Sequence, residues 1–251
     1  MKRLWLATLL ALLAASAHAA SIDALLRAYP DFLAGYDGAN LIWRDGTRMP
    51  VSADTARRSG PDAIEHDSIL DQIAATYPAF APAAPPLDDP GRVRNRAFFD
   101  KMYGDCSRGE VAPKLVRVTW LPRSWGRDVS ITSVNGVDRA LAAISSELDD
   151  LPAADRKYLQ PLGGTYNCRA VAGTDRRSMH GWGAAIDLNP AFSDYWRWSR
   201  ATSDLPPYRD RIPLEIVAIF ERHGFIWGGR WSHFDTMHFE YRPELLDQRP
   251  P

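Results

Sequence analysis

The sequence predicts an α+β domain over about residues 91–246, preceded by an extension. Three observations carry this. The chain has 251 residues, enough for one sizeable domain. Its hydrophobic content of 45% and charged content of 24% are those of an ordinary globular protein. After a proline-rich stretch, the apolar pattern runs strand, helix, strand, loop, strand, helix, strand, a mixed order that favours α+β.

The elements can be taken in order. Lys2 and Arg3, the apolar run Leu4 to Ala15 and the small-x-small triplet Ala17-His18-Ala19 predict a signal peptide over residues 1–19, cleaved after Ala19. An uncleaved anchor is the alternative, although the run is short for a membrane span. The expectation is therefore a periplasmic or secreted protein with no stable membrane insertion after cleavage. No cysteine follows the apolar segment, so no lipid anchor is expected.

Residues 20–90 read as an N-terminal extension. Ile22, Leu25, Leu26, Tyr29, Phe32 and Leu33 have roughly helical spacing over 21–36, broken at Pro30. Asp45-Gly46 between apolar residues predicts a hairpin over 41–49. Ile69, Leu70 and Ile73 suggest a short helix within 64–77, and Pro78, Pro82, Pro85, Pro86 and Pro90 mark a linker. Residues 91–251 then form the main domain. Phe98, Phe99 and Met102 place a helix over 93–103, and Lys114 to Leu121 are rich in β-formers. Val137, Leu141, Ile144 and Leu148 predict an amphipathic helix over 135–148, with Asn135-Gly136 as its cap. Residues 159–172 read as a strand or hairpin edge turning at Gly163-Gly164. Ile186 to Leu188 continue the sheet. Pro213 to His223 form a helix with Gly224 after it, and Thr236 to Tyr241 alternate as the last strand.

Composition also excludes functions. The formal net charge is −1, and no basic block invites nucleic acid. Cys106 and Cys168 are the only cysteines. In an exported chain they most simply form one disulfide; Cys168 as nucleophile or zinc ligand is the alternative.

The chemistry lies in two stretches. Ser178-Met-His-Gly-Trp-Gly-Ala-Ala-Ile-Asp187 carries His180 and Asp187 across a glycine turn, with the carboxylate in an apolar run where it needs a partner or a metal. The stretch Trp227 to Glu240 carries Asp235 and His238. Alternation predicts Met237, Phe239 and Tyr241 on the core face and Thr236, His238 and Glu240 on the other. His180, Asp187 and His238 are thus candidate Zn²⁺ ligands with a fourth position open, the pattern of catalytic zinc. Water bound there would be the nucleophile, and a carboxylate must move its proton. Asp235 is the first choice; Glu240 is the competitor, or else orients His238. His66, His223 and His233 are expected to be structural or on the surface, and Ser178 to shape the histidine turn. Trp182, Trp227 and Trp231 either wall a groove or pack in the core.

Ser178-x-His180-x₆-Asp187 with Asp235-x-x-His238 resembles the M15 zinc peptidases, which include VanY-like D-alanyl-D-alanine carboxypeptidases and L-alanyl-D-glutamate endopeptidases. The likeness covers about residues 115–243. Trp227-Gly-Gly-x-Trp231 and an aspartate at 235, where many carboxypeptidases carry glutamate, lean toward the endopeptidase branch. The resemblance implies a small antiparallel sheet flanked by helices, as in the Hedgehog and DD-peptidase folds. It also implies zinc on His180, Asp187 and His238, Asp235 as base, and Arg169 on substrate and the developing oxyanion; a surface ion pair is the alternative for Arg169. Peptidoglycan peptides are the implied substrate and a monomer the expected state. The rival expectation is a non-catalytic protein that holds zinc or a cell-wall peptide on the same scaffold.

Overall fold

The computed structural model describes residues 21–52, 68–74, 76–82, 89–171, 174, 176–198 and 207–246. The signal-peptide reading, His66 and the centre of the proline-rich stretch lie outside them. Residues 21–28 are helical (α1) and stop before Pro30. The helical spacing expected beyond that point is not realised, because Leu33–Tyr36 (β1) turns into a strand instead. β1 pairs antiparallel with Asn40–Trp43 (β2), which pairs antiparallel with Arg48–Pro50 (β3). The β2–β3 turn is the expected Asp45-Gly46 hairpin: Asp45 Oδ1 accepts from the Thr47 amide at 2.9 Å and from the Thr47 hydroxyl at 2.7 Å. A sheet this small has little stability alone. Leu33, Leu41 and Trp43 are buried in the same apolar cluster as Phe98 and Phe99 of the main domain, and Tyr29 and Trp43 meet Phe98 at ring distances of 5.7 and 5.5 Å. Each such side chain contributes about 1.5–3 kcal/mol when fully buried, so the shared core is what holds the small sheet.

Ile69–Ala74 (α2) is the short helix expected there. Beyond it, the Tyr77 hydroxyl donates to buried Glu221 at 2.6 Å, so the start of the proline-rich stretch is fastened to the main domain. The next helix starts later than the apolar spacing suggests, at Arg96–Tyr103 (α3). Asn95 caps it by accepting from the Phe98 amide at 2.8 Å, and the residues before it form a turn at 90–92 and an irregular stretch at 93–95.

Leu115–Trp120 (β4) is the expected strand. Its antiparallel partner Arg127–Thr132 (β5) is mostly polar outside and gave no apolar signal. Val137–Asp149 (α4) buries Val137, Leu141, Ile144 and Leu148 as predicted. Gly136 is its N-cap residue, within the pair expected there, but no side chain makes a capping bond: Asn135 and Gly136 both have positive φ, and the Asn135 side-chain amide reaches Met102 and Tyr103 instead. Arg156–Leu159 (α5) takes the start of the predicted 159–172 edge. The rest of that stretch makes only isolated bridges, Gly164 to Asp187 and Ala170 to Arg177.

The sheet that positions the site has the order β6-β8-β7, all antiparallel: Ala185–Asp187 (β6), His238–Tyr241 (β8) and Phe225–Trp227 (β7). Leu214–Arg222 (α6) packs on it, with Phe220 stacked on Phe239 at 3.9 Å, and ends at Gly224 as expected. Pro243–Leu246 (α7) closes the described chain. The two-faced reading of the last strand needs correction. β8 is the middle strand, and Glu240 is as fully buried as Phe239, both at 0% exposure. One face meets α6; on the other, Glu240 meets the guanidinium groups of Arg94 and Arg242. Cys106 and Cys168 form a disulfide with Cα atoms 5.7 Å apart. No helix among the described residues is long and apolar enough to cross a membrane.

Candidate metal centre

His180 lies in a single turn of 3₁₀ helix, Met179–Trp182. Ser178 starts it by accepting from the His180 amide, the local role expected of it. Gly183 ends it at φ +67°, a conformation that glycine adopts without penalty. Its close surroundings, with the Leu115 side chain 2.7 Å from where a Cβ would stand, also demand glycine. The chain then enters β6, whose register sets Asp187 directly across from His238. Two stretches some fifty residues apart therefore converge through one strand pairing.

The three donor atoms form a near-equilateral triangle. His180 Nε2 is 3.1 Å from Asp187 Oδ1, His238 Nδ1 is 3.0 Å from the same oxygen, and the two ring nitrogens are 3.2 Å apart. Among the described residues this is the group able to hold a metal ion. The hydrogen bonds on the far sides assign the tautomers. Nδ1 of His180 faces the Thr165 carbonyl, which can only accept, so Nδ1–H donates and Nε2 keeps its lone pair. Nε2 of His238 lies 2.9 Å from Glu240 Oε2 and donates to it, which leaves Nδ1 facing the triangle. Three electron-rich atoms in near contact need a cation or a proton between them. Tetrahedral zinc with bonds of about 2.0–2.1 Å has edges of about 3.3–3.4 Å, close to this triangle, so the residues fit that ion.

Titration agrees with the geometry. Burial disfavours the charged forms, yet the histidines hold Asp187 well below the usual carboxylate range. Likewise, against the cost of burial, Asp187 and Glu240 push His238 up to about 9. In the metal-free chain a proton on Nδ1 fills the gap.

The triangle opens on a cavity of about 240 Å³ lined also by Arg92, Arg94, Arg169, Tyr195, Trp231, Asp235 and Met237. Asp235 lines this cavity together with the three donors. Its Oδ1 is buried and accepts no hydrogen bond from the described residues. Burial, then the nearby Asp187 charge, push its carboxyl up to about 6. Its backbone is fixed by the amide bond to Gly228 O at 2.9 Å and by a bridge to Tyr195. Glu240, the competitor, does not line the cavity. Its oxygens are committed to His238, Arg94 and Arg242, and against burial these cations hold it down at about 2. Arg169 is exposed, makes no ion pair among the described residues, and borders both this cavity and a second of about 150 Å³ on the far side of His180 and Asp187.

The remaining expectations divide. His223 pairs with Glu147, and His233 with Asp89 at 2.6 Å, so both are structural. Trp182 and Trp227 are core residues; Trp231 alone of the three lines the cavity, 5.5 Å from the His238 ring. The sequence reading missed Arg92, Arg94, Tyr195 and Trp198. The run Tyr-Trp-Arg-Trp at 195–198 was a signal for the last two, since an aromatic-rich loop needs a reason to be there. Trp198 is 56% exposed at the cavity rim.

Residues 172–241 match the family model described as D-alanyl-D-alanine carboxypeptidase. The match spans His180, Asp187, Asp235 and His238 and begins after Arg169. No curated protein and no solved structure matches the chain.

Proposed function

That match supports an M15-family peptidase, and on this premise we propose that the chain is an exported zinc peptidase that hydrolyses peptidoglycan peptides, at D-Ala-D-Ala or L-Ala-D-Glu bonds. The carrying observation is the triangle of His180 Nε2, Asp187 Oδ1 and His238 Nδ1 at the floor of a cavity that also holds the unpartnered Asp235 Oδ1. Residues 91–251, with a DD-peptidase-like sheet, are the catalytic domain in this reading, and 20–90 brace it.

A bound Zn²⁺ would supply a Lewis acid and an activated water. His180, Asp187 and His238 would hold it. Asp235 accepts the water's proton at Oδ1 and delivers it to the leaving amine nitrogen. Arg169 reaches the substrate carbonyl oxygen as negative charge develops there. Trp231 and Tyr195 shape the approach to the site.

Muropeptides incubated with the protein, with and without chelator, test the proposal by mass spectrometry. Loss of a terminal D-Ala or a cut beside D-Glu that disappears with chelator is the expected result. Zinc binding without any metal-dependent product would favour the binding-protein alternative.

The raised His238 gives a second test. Zinc needs the unprotonated Nδ1, and with the group near 9 most of the metal-free chain is protonated at pH 7. Binding at pH 7 should therefore release about one proton, and apparent affinity should fall about tenfold for each pH unit below 9. Calorimetry in buffers of different ionisation enthalpy reads this directly; a binding enthalpy independent of buffer contradicts it.

A further inference from the structure

On the Glu240 side of His238 lies a run of buried charge to which the hydrolytic reading assigns no role; of its arginines, Arg94 also lines the cavity. Glu240 is fully buried on the middle strand, and both of its oxygens are pinned. Oε2 accepts from His238 Nε2 at 2.9 Å and from the guanidinium of Arg94. Oε1 accepts from Arg242 Nη1 at 3.2 Å. Arg242, itself fully buried, donates onward from Nε to Glu244 at 2.5 Å, and the Tyr29 hydroxyl donates to the other oxygen of Glu244 at 2.6 Å. Two guanidinium groups thus balance two carboxylates, with Tyr29 of the N-terminal extension at the far end. A buried charge without such partners is strongly destabilising, so each member depends on the next.

The chain is shaped to deliver Arg94 there. Residues 89–92 form a turn, closed by the Arg92 amide donating to the Asp89 carbonyl at 3.0 Å, and residues 93–95 lead from it into α3, which begins only at Arg96. Gly91 has φ +92°, and a Cβ on it would stand 2.6 Å from Ile226 and 3.0 Å from Glu240 Oε1. Only glycine lets the turn lie this close, and its carbonyl accepts from Arg242 at 3.4 Å.

We propose that Arg94 is a positioning residue for the metal centre: it grips the Glu240 oxygen that receives His238 Nε2–H and so keeps the His238 ring turned with Nδ1 toward the metal. The inference rests on the zinc reading given above. Arg94 reaches the same Glu240 atom as the imidazole, whereas Arg242 holds the other oxygen and is shared with Glu244. Arg94 therefore governs the direction of the carboxylate edge that the ring follows. Groups that orient a ligating histidine from behind commonly affect metal affinity by about 10–100-fold.

The test uses the full chain without substrate. Zinc affinity is measured by chelator competition, and the visible spectrum of the Co²⁺-substituted protein reports ligand geometry. Arg94→Gln should weaken zinc binding about 10–100-fold and alter the Co²⁺ spectrum, with Arg94→Lys losing less. In a Glu240→Gln background the further loss caused by Arg94→Gln should largely vanish, because the residue through which it acts is already altered. Wild-type affinity and spectrum in the Arg94 variants overturn the proposal. So does an equal fold-loss in the Glu240→Gln background, which would mean general destabilisation. Should Arg94→Gln not fold, Arg94→Lys is judged by the same two outcomes. A wild-type chain that binds no zinc overturns the metal reading and this inference with it; zinc binding without hydrolysis overturns only the peptidase reading.

Discussion

Asp235→Asn is expected to bind zinc as the wild type does and to lose about 10²–10⁴ of kcat on a muropeptide substrate. The two halves of this expectation come from different observations. Asp235 is outside the triangle of donor atoms, so removing its charge takes no ligand from the ion. It lines the cavity beside them with a buried oxygen that no group among the described residues satisfies. Such an oxygen costs about 1–3 kcal/mol to leave unpaired, and a base that must accept a proton is a reason to leave it so. Asparagine keeps the size and the amide hydrogen bond to the Gly228 carbonyl but cannot hold the proton. The measurement is kcat against zinc content on the same preparation. Near-wild-type turnover would remove Asp235 from the mechanism and return attention to Glu240. Glu240 enters that contest poorly placed, since it does not line the cavity and is held by two arginines.

The site was more legible in the sequence than the fold around it. His180, Asp187 and His238 could be picked out because liganding residues need particular types at particular spacings, and the glycines of Gly181-Trp-Gly183 mark the turn between them. The strand pairing that joins the halves was not legible: β6 and β7 have only three residues each, too short for any period to show. The polar β5 was missed for a related reason, as its partner β4 carried the apolar signal for both. His238 and Glu240 do share one face of β8, but that face, expected away from the core, is buried as well. Amphipathic alternation cannot distinguish a polar face turned to water from one turned to buried arginines. Arg92 and Arg94 were invisible because their partners are about 140 residues away and nothing local distinguishes them from surface arginines. The N-terminal extension likewise gave its helix and hairpin by local rules, while its Tyr29–Glu244 bond, spanning 215 residues, could come only from the folded chain.

His180→Ala should lose both the metal and the activity, and it is the cleaner of the two histidine deletions. His238 is tied to Glu240 and, through it, to Arg94 and Arg242, so removing it disturbs a buried charge network as well as the ion. His180 has one further tie, Nδ1–H to the Thr165 carbonyl, and its loss strands a single backbone acceptor at a cost of about 1–3 kcal/mol. The informative quantity is therefore the stabilisation that zinc confers, more than the melting temperature alone. An ion that binds only the folded chain adds about 4 kcal/mol at a free concentration 1,000-fold above its Kd. For a chain of this size that corresponds to about 8–16 °C in Tm. Wild-type protein should show a shift of this order on adding zinc, and His180→Ala at the same zinc concentration should show almost none. Asp187 Oδ1 and His238 Nδ1 would remain 3.0 Å apart, but two ligands and a proton between them make a weak site. A variant that keeps the full zinc-dependent shift would place the ion elsewhere, and the triangle would then have to be read as a hydrogen-bonded His–Asp–His cluster that closes on a proton.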